Sequence, residues 1–519
     1  MKDLLGRVPV AAEAYAALRP QRPRTRYNLE QLGAHLPAAI DAVRAHGAVT
    51  SSGKHLILFA TLHYWIEQAV MVGLVLRGMG HDVTIAYLPY SDWQKPINGF
   101  DLRRQDVYTR RVLAPLTGLV NVVSLCDRGS PDLLPESLAG AVERASSYDV
   151  MYSLQTEAVD QAGPLYRLRM VRNAQAGAAA FSVLQDEAPS AALIPNGLVT
   201  ELAMFFQAAR SLDVPTITYE FNDQREQIWL AQDDVVMNQN TDGLWQARRD
   251  QPLTARENEV IHEFEASRSG GGLYAKGTRR WQDVPKQGTA ALRAELELDD
   301  RPIVLLATNV LGDSLTLGRN VFAESMADWI GKTVRYLAAR PEIQLLVRIH
   351  PGERLIHGPS IESIIERALP SIPSHVHIIG PRQTTNTYDL MDMASLGLVY
   401  TTTVGMEMAM RGVPVIVAGR THYRGRGFTM DPSSWDEYFQ ILNRALERSL
   451  PAGLEPDVID TAWRYAYRFL FDYPQAFPWR LMHFWKDMGE WPVGRVLSPE
   501  GQMTFGQTFK YLSGEKIVW

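Results

Sequence analysis

Short apolar runs recur along the chain, with apolar residues at consecutive positions rather than alternate ones. That pattern marks strands covered on both faces, as in a parallel sheet. His55–Thr61 is the first such run. Positions 66–77 then carry helical spacing up to Gly78 and Gly80, and Asp82–Leu88 reads as the next strand. A strand, helix, strand unit of this kind opens an α/β domain. Further strands are expected at 120–125, 149–154, 192–195 and 216–220, with a helix over 199–212.

The alternation breaks between Arg268 and Asp300, where Gly270, Gly271, Gly272, Gly277 and Pro285 cluster, and then restarts. Strands are expected at 303–307, 344–349, 376–379, 396–400 and 413–417, and helices at 320–339, 361–368 and 404–411. The reading is two α/β halves, 1–285 and 301–455, joined by a linker at 286–300. An aromatic-rich segment, 456–519, follows as helices packed over both.

Composition narrows the chemistry. The chain has 52 Lys plus Arg against 58 Asp plus Glu and no long basic run, so nucleic acid is not an expected partner. A single cysteine, Cys126, makes neither an internal disulfide nor a thiolate cage, which suits a reducing cytoplasm. No run approaches the ~18 apolar residues of a spanning helix, and the first residues lack a signal-peptide core. A cytoplasmic protein is expected, one compatible with peripheral association at the inner face of a membrane.

Signatures of P-loop ATPases, dinucleotide oxidoreductases, serine hydrolases and zincins are missing from the sequence. So is any Asp-x-Asp triplet, the usual holder of a divalent metal on a nucleotide diphosphate. No metal site and no cofactor are expected; backbone dipoles and cations would neutralise a phosphate. His375 and His377 share a strand face, read as an exposed face rather than a metal pair.

Three clusters carry candidate chemistry. In Arg348-Ile-His350-Pro351-Gly-Glu353 a strand runs into His-Pro, placing the imidazole at the carboxyl end of a parallel strand, where open α/β sheets bind ligands; alternatively His350 caps the strand. Tyr400-Thr-Thr402-Thr403-Val-Gly-Met-Glu407 brings hydroxyls and N–H groups to a helix start, fit for a phosphate or for simple capping, with Glu407 one turn on. Asn196, Glu220 and Asp223 end first-half strands, where a carboxylate can serve as general base or cap a helix. His63 follows the first strand, and the loop holding Arg424 follows the last strand of the second half.

Taken together, residues 194–220, 307–313 with Asn309, 348–353 and 398–428 resemble the capsule polysaccharide biosynthesis family of glycosyltransferases, which includes Kdo transferases using a CMP-sugar. The first-half glutamate is followed here by Phe221-Asn222-Asp223 in place of the family's glycine pattern. The resemblance implies the GT-B fold: two Rossmann-like domains facing across a cleft, with C-terminal helices packing back on the first. It implies a nucleotide-sugar donor, a CMP-sugar such as CMP-Kdo or a UDP-sugar, and a surface-polysaccharide or glycolipid acceptor. His350 with Glu220 or Asp223 would then be catalytic. Arg348, Pro351, Glu353, Asn309, Thr402, Thr403, Glu407 and Arg424 would surround the donor, and His63 and Asn196 the acceptor. Sugar-nucleotide epimerases and CDP-glycerol-type phosphotransferases share the frame and stand as alternatives.

Overall fold

The computed structural model describes residues 11–18, 27–47, 53–128, 130–274, 277, 284–356, 358–447 and 453–519. Its strands are β1 (His55–Thr61), β2 (Asp82–Leu88), β3 (Asn121–Ser124), β4 (Ala191–Pro195), β5 (Thr216–Phe221), β6 (Gln227–Gln232), β7 (Ile303–Ala307), β8 (Gln344–Arg348), β9 (Val376–Ile379), β10 (Leu396–Val399), β11 (Val415–Val417) and β12 (Gln475–Ala476). They form two sheets, β12-β6-β5-β4-β1-β2-β3 and β11-β10-β7-β8-β9. The second sheet is parallel throughout; in the first, only β6 runs against the other strands, pairing antiparallel with β5 on one side and β12 on the other. Helices cover both faces, which explains why β1, β4, β7 and β8 are apolar without alternation.

Each sheet reverses its winding beside its first strand. The chain goes from β1 outward to β3 and returns to place β4 on the other side of β1; likewise from β7 to β9, with β10 returning beside β7. Such reversals open crevices at the carboxyl ends of the strands. Here both carboxyl edges face each other. The second half's loops meet the end of the helix Ala139–Leu154 so closely that a Cβ on Gly312 would sit 2.2 Å from the Met151 carbonyl oxygen, and one on Gly358 2.3 Å from that of Gln155. Across the same junction the Glu157 carboxylate accepts from the Met326 and Ala327 N–H groups at 2.9 and 2.8 Å. The arrangement is GT-B: two Rossmann-like sheets edge to edge, with Phe477 to Leu512 sharing the core of the first.

Several expectations are corrected. Residues 149–154 are the end of a helix, because Ala141, Val142, Ala145, Ser146, Asp149 and Val150 form one buried helical stripe in which Asp149 is a buried acid. The helix expected over 320–339 starts at Met326, where Ser325 caps it through the Asp328 N–H and Glu157 completes the end. His375 is buried rather than on an exposed face; its Nε2 lies 3.4 Å from the Leu337 carbonyl oxygen, while His377 meets Gln344 at 2.9 Å. The helices Asp242–Arg248 and Ala255–Ser269 pack through Leu244, Trp245, Ile261 and Phe264 into the second sheet's core, so the chain crosses between halves soon after β6. The helix Pro456–Tyr467 packs there too, and the chain returns at β12. No helix among the described residues is long and apolar enough to cross a membrane.

Candidate functional site

Parallel pairing of β1, β4 and β5 brings the first-half candidates to one edge. Pro195 pairs with Tyr219, so the next residues, Asn196 and Glu220, stand side by side; the Asn196 amide donates to Glu220 at 2.8 Å, and the Phe221 N–H donates to the other carboxylate oxygen at 3.0 Å. Burial pushes the Glu220 pKa up, and these two hydrogen bonds offset only part of the rise. A carboxylate with raised affinity for a proton is what a general base requires.

The backbone at this edge is strained. Leu62, Asn196 and Thr200, which follow β1 and β4, have φ of 63°, 57° and 59°. Asparagine tolerates this region, but leucine and a β-branched threonine do so at a cost of ~1–2 kcal/mol each. Buried polar atoms are also unmet here: Thr61 Oγ1 and His63 Nδ1 have no hydrogen-bond partner among the described residues. Burial lowers the His63 pKa and keeps its ring neutral. Strained backbone and orphaned polar atoms thus coincide at the topological switch point of the first sheet.

On the opposing edge, His350 caps the short helical turn Pro351–Leu355. Its Nδ1 accepts from the Gly352 N–H at 3.0 Å, which puts the proton of the neutral ring on Nε2, and its own N–H donates to Thr308 Oγ1 at 3.2 Å. Gly352 allows this approach, since a Cβ there would lie 2.8 Å from Nδ1. At the switch point between β7 and β10, Asn309 Oδ1 accepts from the Thr401 N–H at 3.2 Å. Thr402 lends its carbonyl to the Tyr423 hydroxyl at 2.6 Å and its own hydroxyl to the Val404 N–H at 3.4 Å. Thr403 begins the helix Val404–Met410 without a side-chain cap bond, and the buried Thr401 hydroxyl has no partner among the described residues.

Other expected donor residues are already engaged. Arg348 is buried and donates to the carbonyls of Gly380 and Thr385 at 2.9 and 3.2 Å, stitching the end of β8 to the loop after β9. Glu353 receives the Ile361 N–H at 3.0 Å and so caps the next helix, while Pro351 sets the turn. Arg424 donates to the carbonyls of Val417, Asp431 and Pro432, holding its own loop shut. Both arginines, expected to surround the donor, thus donate to backbone carbonyls.

One residue escaped sequence reasoning. Arg268, in the last turn of the helix Ala255–Ser269, reaches Glu407 at 3.0 Å and the Tyr388 hydroxyl at 3.2 Å. Burial opposes its charge, but Glu407, Tyr388 and Asp223 together outweigh burial and hold its pKa up. Asp223 thus faces the second half, and Glu407 is occupied by a cation. Position 268 abuts the glycine cluster that reads as a boundary, so the pattern offered no signal beyond an arginine at a helix C-terminus. No three or more His, Cys, Asp and Glu side chains among the described residues converge as a metal site.

No family model matches the chain, and no curated protein does. Solved structures with some likeness include a KpsC β-Kdo 2,4-transferase of Thermosulfurimonas dismutans, 18% identical with a TM-score of 0.35 over 56% of this chain and 82% of that one. A UDP-GlcNAc 2-epimerase from Neisseria meningitidis bound to UDP-GlcNAc is 14% identical, with a TM-score of 0.26 over 81% and 100%. The glycosyltransferase SsfS6 of Streptomyces sp. SF2575, complexed with thymidine diphosphate, is 10% identical, with a TM-score of 0.22 over 86% and 98%. The architecture itself rests on the two sheets described above.

Proposed function

We propose that the chain is a glycosyltransferase that holds a nucleotide sugar at the edge of the second sheet and passes the sugar to a hydroxyl of a glycan or glycolipid at the edge of the first. The observation that carries this reading is the Glu220 carboxylate, held by Asn196 at the edge that faces His350, with burial raising its pKa. Glu220 takes the acceptor hydroxyl's proton as the new bond forms. The Nε2–H of His350 donates to the departing phosphate, with Thr401, Thr402 and Thr403 lining the same edge. Arg268, paired with Glu407 and within the field of Asp223, lies between the two halves, and Glu407 would accept from the donor's ribose if that pair exchanges. With no Asp-x-Asp in the sequence, transfer is expected to continue in EDTA.

The test is nucleotide release from CMP- and UDP-sugars with and without glycan acceptors. Release that needs both acceptor and Glu220 supports transfer. Isomerisation of the donor without an acceptor would make the chain an epimerase and overturn the reading; a phosphodiester-linked product would make it a phosphotransferase.

A further inference from the structure

Glu220 has two lateral neighbours in its sheet. On one side stands the Asn196 amide at the end of β4. On the other, the antiparallel register sets Glu220 directly opposite Trp229 of β6. Residues paired in this way point to the same face with Cβ atoms ~4.5–5.5 Å apart, so the half-buried indole stands against the carboxylate. Thr218 and Ala231 are the next pair on this face. The Thr218 hydroxyl donates to the Asp234 carbonyl at 2.7 Å and accepts from the Val236 N–H at 2.8 Å. Ala231, Val236 and Met237 thereby form a small apolar cluster, and Trp229 packs against it.

The indole is also held from the second half. Its ring stacks on that of Phe469 at 6.5 Å and 29°, and Phe469 belongs to the second sheet's core. The Gln224 amide, in the turn between β5 and β6, donates to the Leu470 carbonyl at 3.1 Å, so hairpin and second half are fastened at adjoining residues. Leu315, from the loop after β7, packs on the same small cluster. Trp229 is therefore wedged between Glu220 and the other half.

Charge does not compete with this wall. Each Glu220 oxygen takes one N–H, and no Lys, Arg or His among the described residues forms an ion pair with it. The phenols around it, Tyr64 after β1 and Tyr219 on the opposite face of β5, both have raised pKa and stay neutral. His350 stands on the opposing edge, and Asp223, at the start of the hairpin turn, lies in the field of Arg268, which Glu407 pairs. Without a counter-ion, hydration governs how firmly a carboxylate holds its proton, and an apolar ring in place of water makes it hold harder.

We propose that Trp229 is a positioning residue for Glu220: it walls the carboxylate off from water on the β6 side, and because Phe469 braces the indole, the wall is complete only when the two halves are together. The role of Glu220 as a base rests on the transferase reading; its shielding by Trp229 does not.

Carbon-13 NMR of the full chain labelled at the glutamate carboxyl carbons, with the Glu220 signal assigned by its loss in Glu220→Gln, reads the titration without any substrate. Trp229→Thr, which keeps a strand-forming residue, should lower the Glu220 pKa by about 1, toward 4.5. Trp229→Gln should do the same with less packing lost, and Trp229→Phe should leave the wild-type value. Phe469→Leu should lower it by less than Trp229→Thr; no change there removes the brace. In turnover, the acid limb of kcat should move with the titration while the KM for the nucleotide sugar stays. A titration unmoved in Trp229→Thr or Trp229→Gln, or lowered as much by Trp229→Phe, overturns the role of Trp229. A lowered titration in a chain that turns over no nucleotide sugar leaves that role standing and removes the transferase reading. Turnover whose acid limb ignores a shifted titration removes Glu220 as the base.

Discussion

The two switch points are built from the same parts and differ in backbone strain and in how their charged side chains are held. Beside β1 and β4, three non-glycine residues sit at positive φ, Thr61 and His63 leave buried atoms unmatched, and Glu220 is held with its pKa raised by burial. Beside β7 and β10, Arg348, Glu353 and Arg424 are anchored to backbone groups, and the turn 400–403 is pinned by Asn309 and Tyr423. The first edge carries strained backbone and a carboxyl with raised pKa; on the second the charged side chains are tied to backbone groups, with the Thr401 hydroxyl lacking a partner among the described residues. That division suits a base acting on a mobile acceptor on one side and a fixed site for a leaving phosphate on the other.

The most direct way to break the comparison is Glu220→Gln. Gln keeps the size and the hydrogen bond from Asn196 but cannot accept a proton, so the turnover rate should fall by ~10²–10⁴-fold with the fold intact. Because burial raises the pKa of Glu220, the wild-type enzyme should lose activity as the pH falls through that raised value, above the ordinary 4.5. That acid limb should disappear from the residual activity of the variant. A full rate with Gln at position 220 would remove the first edge from the chemistry.

His350→Ala tests the opposite edge. Loss of one preorganised donor to a developing phosphate charge costs ~10²–10³-fold in turnover. It should leave the acid limb in place, since Glu220 remains. If His350→Ala instead shifted that limb and spared the rate above it, the roles of the two edges would be exchanged.

How much of this the sequence disclosed follows the same contrast. The parallel strands were legible because burial on both faces writes unbroken apolar runs, and 303–307 and 376–379 are found where the pattern puts them, as is the helix 361–368 from its helical spacing. Residues 149–154 were not, because the acid Asp149 lies on a buried helical stripe and its partner Arg169 is distant in sequence. His350 and the threonine turn stood out as residue types at strand ends. Whether Arg348 or Arg424 was free could not be read, since that depends on which carbonyls lie within reach after folding. Arg268 was missed for the same reason: its meaning lies in Glu407, Tyr388 and Asp223, all remote in sequence.

Burial raises the pKa of a second carboxyl of the first half, Glu67 on the helix Leu62–Gly78, which accepts from the Trp485 indole N–H at 3.2 Å. Burial raises its pKa from 4.5 to about 7, and the Trp485 bond opposes this only in part. The folded state therefore holds this proton more tightly than the unfolded chain. Wild-type stability should fall as the pH rises from 4.5 to about 7 and level off above that. Glu67→Gln keeps an acceptor for Trp485 and has no charge to bury, so it should gain up to about 3 kcal/mol over the wild type at pH 8 and little at pH 5. Urea unfolding at the two pH values measures this, and a difference that does not change with pH would contradict it.

The smallest expected effect separates the two backbones directly. Thr200 and Thr403 both stand at the start of a helix after a switch-point strand, but Thr200 has φ of 59° and Thr403 has φ of −62°. Replacing a residue by glycine frees the unfolded chain, a cost of ~0.5–1 kcal/mol that both variants share. At position 200 glycine also removes a left-handed strain of ~1–2 kcal/mol, so Thr200→Gly should be neutral or slightly stabilising. At position 403 there is no such strain to relieve, and Thr403→Gly should lose ~1 kcal/mol. Equal destabilisation at both positions would mean that the first edge is not strained and would remove the backbone contrast between the two edges.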